Sequence, residues 1–171
     1  KIYPFSSDIA DQEGVDKVFS YAIQTLGYID IFIANAGIAY IEKLDKPDWK
    51  HIEYIYSLNV FSPIYALEKL VEHRNNNPIT FVSIISGVAL ASLPAYSLYC
   101  STKAALHQFM QTYRYEQSQL LQLTTVYPIA TRTDFFDKAT KENRTPLPFP
   151  SQEASIVAKR IIKGIVAGKR I

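Results

Sequence analysis

Apolar residues along the chain follow two different periods, and the switches between them mark out the elements. Over 11–26, "DQEGVDKVFSYAIQTL", Val15, Val18, Phe19, Ala22, Ile23 and Leu26 recur at helical spacing, and Gly27 stops the helix. "IDIFIANAG" at 29–37 is a short, nearly continuous apolar run that ends at Asn35 and Gly37. Such a run suits a strand covered on both faces, as in a parallel sheet. A long helical segment follows, with Pro47 at its start and "HRNNN" at its end, and residues 79–85, "ITFVSII", read as a second buried strand. A helix over 97–119, a strand over 122–127 ("QLTTVY") and a final helix over 151–167 complete the series. Ile2, Tyr3 and Phe5 have the look of a strand end, and the prolines of "TPLPFP" at 145–150 mark a bend or flap. Strands alternating with helices predict right-handed crossovers and a three-layer α/β domain with a parallel sheet.

Composition narrows this only a little. With 171 residues, 48% of them hydrophobic and 20% charged, the chain has the length and balance of one domain that buries a core. A net charge of +2 with scattered Lys and Arg gives no footprint for a nucleic-acid partner. The lone Cys100 leaves no internal disulfide and fits a reducing compartment, so a cytoplasmic location is expected. "KIYPFSSD" does not read as a signal peptide. His51, His73 and His107 stand apart without metal-ligand spacing, and no metal site is expected.

One stretch changes the picture. No charged side chain occurs from Asn75 through Thr102, and then Lys103 follows Tyr99 by one helical turn. A membrane span of roughly 20 apolar residues is excluded by the many serines together with Gly87 and Pro94. On a helix, Tyr99 and Lys103 share a face. A nearby ammonium stabilises a phenolate and lowers its pKa, which suits the phenol to exchange a proton with a substrate oxygen. Ser86, in the turn after a buried strand, can hold the same oxygen, and a competing carboxylate would undo the tuning. Spacing alone is weak support, since any half-buried tyrosine four residues before a solvated lysine satisfies it.

The surrounding residues are more specific. "SIISGVALASLPAYSLYCSTKAAL" resembles the active-site segment of the short-chain dehydrogenase/reductase family, with Ser86 thirteen positions before Tyr99. "NAG" at 35–37, Asn59 in "SLNVFSPI", the Asp8-Ile9 pair and "PIATRTD" at 128–134 are similar to four further motifs of that family, in its order. The resemblance implies a Rossmann-like, doubly wound parallel sheet and a hydride transfer between NAD or NADP and a carbonyl/alcohol substrate. It implies Tyr99 as general acid/base, Lys103 as its modulator and a ribose ligand, Ser86 as holder of the substrate oxygen, and Asn59 as holder of a relay water. It further implies that Asp8, Ile9, Asn35, Ala36, Gly37, Thr131 and Thr133 line the cofactor site, with Asp8 also able to cap the following helix.

The family's glycine-rich turn, which holds a pyrophosphate after the first strand, has no counterpart among the six glycines. The resemblance begins at the family's third strand. Residues 1–171 are therefore expected to form a single partial dinucleotide-binding domain lacking the first two strands and the last, as part of a longer polypeptide. Without those strands, "IDIFIANAG" would have an open apolar edge. Ile129 replaces the glycine usual after Pro128, and Gly87 suggests a flexible loop beside Ser86. The aromatic and aliphatic residues Phe135, Phe136, Leu147 and Phe149 of segment 134–150 favour apolar substrates slightly over small polar ones. Leu106, Phe109, Met110, Tyr113 and Tyr115 make helix 97–119 apolar on more than one face, which suggests a homodimer or homotetramer through it. The rival reading is a non-catalytic relative that uses the fold for binding or regulation.

Overall fold

The computed structural model describes residues 1–117, 119–139 and 150–167. Helix α1 (Gln12–Leu26) starts at Asp11, whose carboxylate accepts from the Gly14 amide at 2.7 Å. It ends at Gly27, left-handed at φ +76°, with the Gly27 amide bonded to the Ile23 carbonyl. The cap is thus Asp11, and Asp8 instead closes a local turn by accepting from the Ala10 amide at 3.0 Å. Residues 2–5 form no strand. Phe5 stacks on Tyr21 of α1 at 4.4 Å between ring centroids, so the alternation seen in sequence is satisfied by packing on a helix.

Three parallel strands follow in the order β1 (Ile31–Ala34), β2 (Ile79–Ile84), β3 (Leu121–Val126). Phe32 pairs with Phe81 and Phe81 with Leu123, and strand alternation puts these on one sheet face with Ile79 and Leu121. That face packs with Val15 and Phe19 of α1, Ala66, Leu67 and Leu70 of α3 (Ser62–Glu72), and Leu106 and Met110 of α4 (Ser97–Glu116) into one core. Ile31 and Ile33 of β1 are nearly half exposed, at 47% and 46%.

Between β1 and β2 the helix expected from Pro47 onward is made of three pieces. Asp48 caps α2 (Trp49–Tyr56) by accepting from the His51 amide at 3.1 Å, placing Pro47 outside the helix. A π-helical turn, Ser57–Phe61, then leads into α3, and the Ser62 amide reaches five residues back to the Ser57 carbonyl. Pro63, which has no N–H, falls in the first turn of α3 and removes a donor from the ladder, which favours the widened turn.

A 3₁₀ turn, Gly87–Leu90, connects β2 towards α4, and the Gly87 amide donates to the Pro128 carbonyl at 3.0 Å, so this loop is pinned rather than loose. After β3, a short parallel pair joins β4 (Thr131–Arg132) to β5 (Gln152–Glu153), closed by Arg132 on Glu153 at 2.5 Å. Helix α5 (Phe135–Lys138) lies between them in sequence, and α6 (Ala154–Val166) follows. The final helix therefore starts three residues later than its apolar pattern suggests, because Gln152 and Glu153 are taken into pairing.

Candidate active site

The carboxyl ends of β1 and β2 and the first turns of α4 bring the candidate residues together. Tyr99 and Lys103 lie on α4, 8% and 5% exposed, with the Lys103 Nζ 5.8 Å from the centre of the Tyr99 ring. The ammonium donates to the Ile84 carbonyl, the last residue of β2, at 3.1 Å. Ser86, two residues beyond, lies close enough to the Tyr99 phenol to favour its ionised form, and accepts from the Val88 amide at 3.3 Å.

Asn59 sits in the π-helical turn, 1% exposed. Its Oδ1 accepts from the Ile38 amide at 2.9 Å, and its Nδ2 donates to the Ile38 carbonyl at 2.8 Å and to Thr102 Oγ1 at 3.1 Å. The loop after β1 is thereby tied to α4 through one side chain. Gly37 borders the same point. A Cβ built on it would stand 3.0 Å from Asn59 Oδ1 and 3.5 Å from Lys103 Nζ, so the bare backbone keeps that space open.

Burial reverses the expected tuning of the phenol. Tyr99 is pushed up to about 12, first by desolvation, with the Ser86 hydroxyl opposing it and Cys100 and Tyr96 adding slightly. Lys103 is pushed down to about 8 by desolvation. The ammonium turns to the Ile84 carbonyl, and the cost of charging a phenol inside a dry cluster outweighs its influence.

Other expected residues are placed less centrally. Asn35 and Ala36 are exposed just past the end of β1. Ile9 packs against the main core and Asp8 is exposed. Thr131 donates to the Ile129 carbonyl at 2.9 Å, and Thr133 accepts from the Phe135 amide at 3.3 Å. Among the described residues, no hydrogen bond joins Asp8, Ile9, Thr131 or Thr133 to the Asn59, Ser86, Tyr99 and Lys103 group. Phe135 packs on Tyr99 at 5.7 Å between ring centres, and Phe136 lies edge-on to Phe135. Leu147 and Phe149 fall outside the described residues.

Sequence reasoning missed a set of ties around this centre. Glu42 pairs with His51, and Tyr40 stacks on the His51 ring at 3.7 Å. The Ile41 and Glu42 amides donate to the Ala139 and Ala95 carbonyls at 3.1 and 2.9 Å. The strap 40–42 thus joins α2 to the loop before Tyr99 and to the end of α5. Ala95 itself is left-handed, at φ +68°. No sequence signal marks Glu42 and His51 as partners, because the loop between them has no regular period. A polar pair at consecutive positions, Ser101 and Thr102, was visible and went unread.

A family model described as short chain dehydrogenase matches residues 1–144. The chain belongs to the short chain dehydrogenase family. Members of this family are oxidoreductases. An Arabidopsis thaliana relative, "11-beta-hydroxysteroid dehydrogenase-like 3", is 29% identical over 165 residues, covering 95% of this chain and 53% of the relative. The chain thus spans about half the length of the curated relatives it matches. A short chain dehydrogenase/reductase from Burkholderia phymatum in complex with NAD superposes with a TM-score of 0.84 at 15% identity, over 96% of this chain and 67% of that one. A short-chain dehydrogenase from Sphingobium yanoikuyae in complex with NADPH gives 0.81 at 22% identity, over 96% and 64%. These likenesses confirm the Rossmann-like arrangement of parallel strands and helices. No helix among the described residues is long and apolar enough to cross a membrane.

Proposed function

We propose that this short chain dehydrogenase is an NAD- or NADP-dependent oxidoreductase acting on a carbonyl/alcohol pair, with Tyr99 as its proton donor and acceptor. The observation that carries the reading is the convergence of the Ser86 hydroxyl, the Tyr99 phenol and the Lys103 ammonium, all held by secondary structure. Two features fit a dinucleotide. The ammonium spends one of its three protons on a described residue, leaving donors for ribose hydroxyls, and Gly37 leaves its backbone bare beside it. Asn35, Ala36 and Gly37 would line the cofactor, Lys103 and Tyr99 would face its ribose, and Asp8, Ile9, Thr131 and Thr133 would bound its two ends. A bound nicotinamide supplies or accepts the hydride.

The chain's own residues handle the proton. With its pKa near 12, the phenol is protonated across neutral pH and is set to give its proton to a substrate oxygen that gains negative charge. Ser86, with its single proton, donates to the substrate oxygen before the transfer and turns to the phenolate left behind after it. Lys103, protonated below about 8, stabilises that phenolate electrostatically. Asn59 fixes the loop that carries Gly37. Residues 1–171 would act as part of a single dinucleotide-binding domain.

Val88, Tyr96 and Phe135 pack around Tyr99, which supports an apolar carbonyl or alcohol substrate, as do relatives described as hydroxysteroid dehydrogenase-like. Assembly through α4 has less support than its composition suggests. Leu106 and Met110 are buried and Phe109 and Tyr113 pack on the same core, leaving Tyr115 at 92% exposure. Light scattering at micromolar concentration tests it, and a monomer would remove the oligomer. A reducing, cytoplasmic setting rests on the single free Cys100. The test of the main reading is fluorescence titration with NADH and NADPH on the polypeptide that carries this chain. Tyr99→Phe should then abolish turnover of a ketone substrate and leave cofactor affinity intact; turnover at the wild-type rate would remove Tyr99 from its role.

A further inference from the structure

Two consecutive hydroxyls lie between Tyr99 and Lys103, and both make the same pair of bonds. Ser101 Oγ donates to the Leu98 carbonyl at 2.8 Å and accepts from the Tyr56 hydroxyl at 2.9 Å. Thr102 Oγ1 donates to the Tyr99 carbonyl at 2.8 Å and accepts from Asn59 Nδ2 at 3.1 Å. A hydroxyl has one proton to give, so spending it three residues back along α4 leaves a lone pair that must find a donor elsewhere. Each finds it on the neighbouring helical run, at positions three apart, Tyr56 at the end of α2 and Asn59 in the π-helical turn.

We propose that Ser101 and Thr102 are positioning residues that fix the roll of the α4 turn carrying Tyr99 and Lys103, through paired ties to Tyr56 and Asn59. This rests on the oxidoreductase reading for its catalytic meaning. The two hydroxyls are about 100° apart around the helix axis. One tie at one angle leaves a helix free to roll about that contact, whereas two at different angles hold it. The phenol oxygen stands roughly 8 Å from the axis, so a roll of about 10° moves it by more than about 1 Å, enough to cost on the order of a hundredfold in rate. Thr102 is fully buried, where a valine of the same shape would fill the space equally well, so the hydroxyl is present for its bonds and not its volume. The roll also decides whether the Lys103 ammonium reaches the Ile84 carbonyl inside the fold.

Thr102→Val, Thr102→Ser, Tyr56→Phe, Ser101→Ala and the double variant Ser101→Ala/Thr102→Val provide the test, in the full polypeptide. Thr102→Val should lower kcat roughly tenfold with the cofactor Kd changed less than about twofold, and Thr102→Ser should restore the rate. Tyr56→Phe and Ser101→Ala should not add, since each removes the same tie. Independently of turnover, the Lys103 side chain titrated by ¹³C NMR should move in the double variant from about 8 towards its ordinary value, as the released turn lets water reach the ammonium. A double variant that keeps both the wild-type titration and the wild-type kcat, losing only thermal stability, overturns the proposal. If the double variant does not fold, Tyr56→Phe and Thr102→Ser are read in the same way: unchanged titration and rate in Tyr56→Phe, with Thr102→Ser no closer to wild type than Thr102→Val, overturns it. Absence of turnover in the wild-type polypeptide would sink the oxidoreductase reading alone, because the titration still decides whether the ties hold the turn.

Discussion

Burying an ammonium without a carboxylate partner has a measurable cost, and Lys103 lets it be worked out. Its pKa falls from 10.5 in an open chain to about 8 in the fold. At about 1.4 kcal/mol for each tenfold change in proton affinity, and with the folded ammonium still mostly charged at neutral pH, the penalty there is about 3 kcal/mol. The sign follows from the direction. Between pH 8 and 10.5 the unfolded chain holds a proton that the folded one has released, so stability rises with pH through that window. Tyr99 acts oppositely and later: raised from 10.0 to about 12, it makes stability fall between those values. For these two groups alone, the cofactor-free protein is most stable near pH 10. Lys103→Met keeps the aliphatic stem and removes the charge. It also orphans the Ile84 carbonyl, at a cost of about 1 kcal/mol, so the variant should be more stable at pH 7 by about 2 kcal/mol. Urea unfolding followed by far-UV circular dichroism measures this, since the single Trp49 is 76% exposed and reports poorly. A variant less stable than wild type at pH 7, or a wild-type stability that stays flat from pH 7 to 10, refutes the reasoning.

Two further substitutions probe close approaches of backbone. Gly37→Ala places a methyl 3.0 Å from Asn59 Oδ1 and 3.5 Å from Lys103 Nζ, and should weaken NADH or NADPH binding roughly tenfold or more, read by fluorescence titration. Gly14→Ala would bring Cβ within 1.5 Å of the Asp8 carbonyl oxygen, so residues around Asp8 must move. A loss of about 1–3 kcal/mol in thermal unfolding is expected, and an unchanged melting temperature would mean that this segment does not pack on α1 as described.

What was legible in the sequence follows the physics of each signal. Buried parallel strands announce themselves as apolar runs, so β2 and β3 were placed within a residue of their ends and β1 fell inside the longer run at 29–37. The 99–103 helix and Ser86 were found because a tyrosine, a lysine and a serine stand out in a long uncharged stretch. The π-helical turn was not visible, since its apolar residues blend into the helical period on either side and only Pro63 hints at a break. Residues 2–5 misled because three apolar side chains alternate equally well along a strand and over a helix surface. The direction of the Tyr99 pKa was also misread: sequence gives the distance to a cation along a helix, but desolvation, which raises it, depends on what the rest of the chain packs around it. The apolar residues Leu106, Phe109, Met110, Tyr113 and Tyr115 of helix 97–119 suggested a second face, and the fold spent four of the five on its own core.

The widened turn at Ser57–Phe61 carries a consequence for length variation. An α-helix advances about 100° per residue, so one extra residue accommodated there shifts the phase of everything downstream by about that angle. This offset lets a single continuous rod present Tyr56 and Asn59 to α4 while Ala66, Leu67 and Leu70 meet the sheet. Deleting one residue from the turn would restore a regular helix and set these two stripes against each other, so that only one could find its partner. Insertions in the exposed loop at 43–47 leave that angular relation untouched. Tolerance to indels along this chain is therefore governed by helical phase more than by exposure.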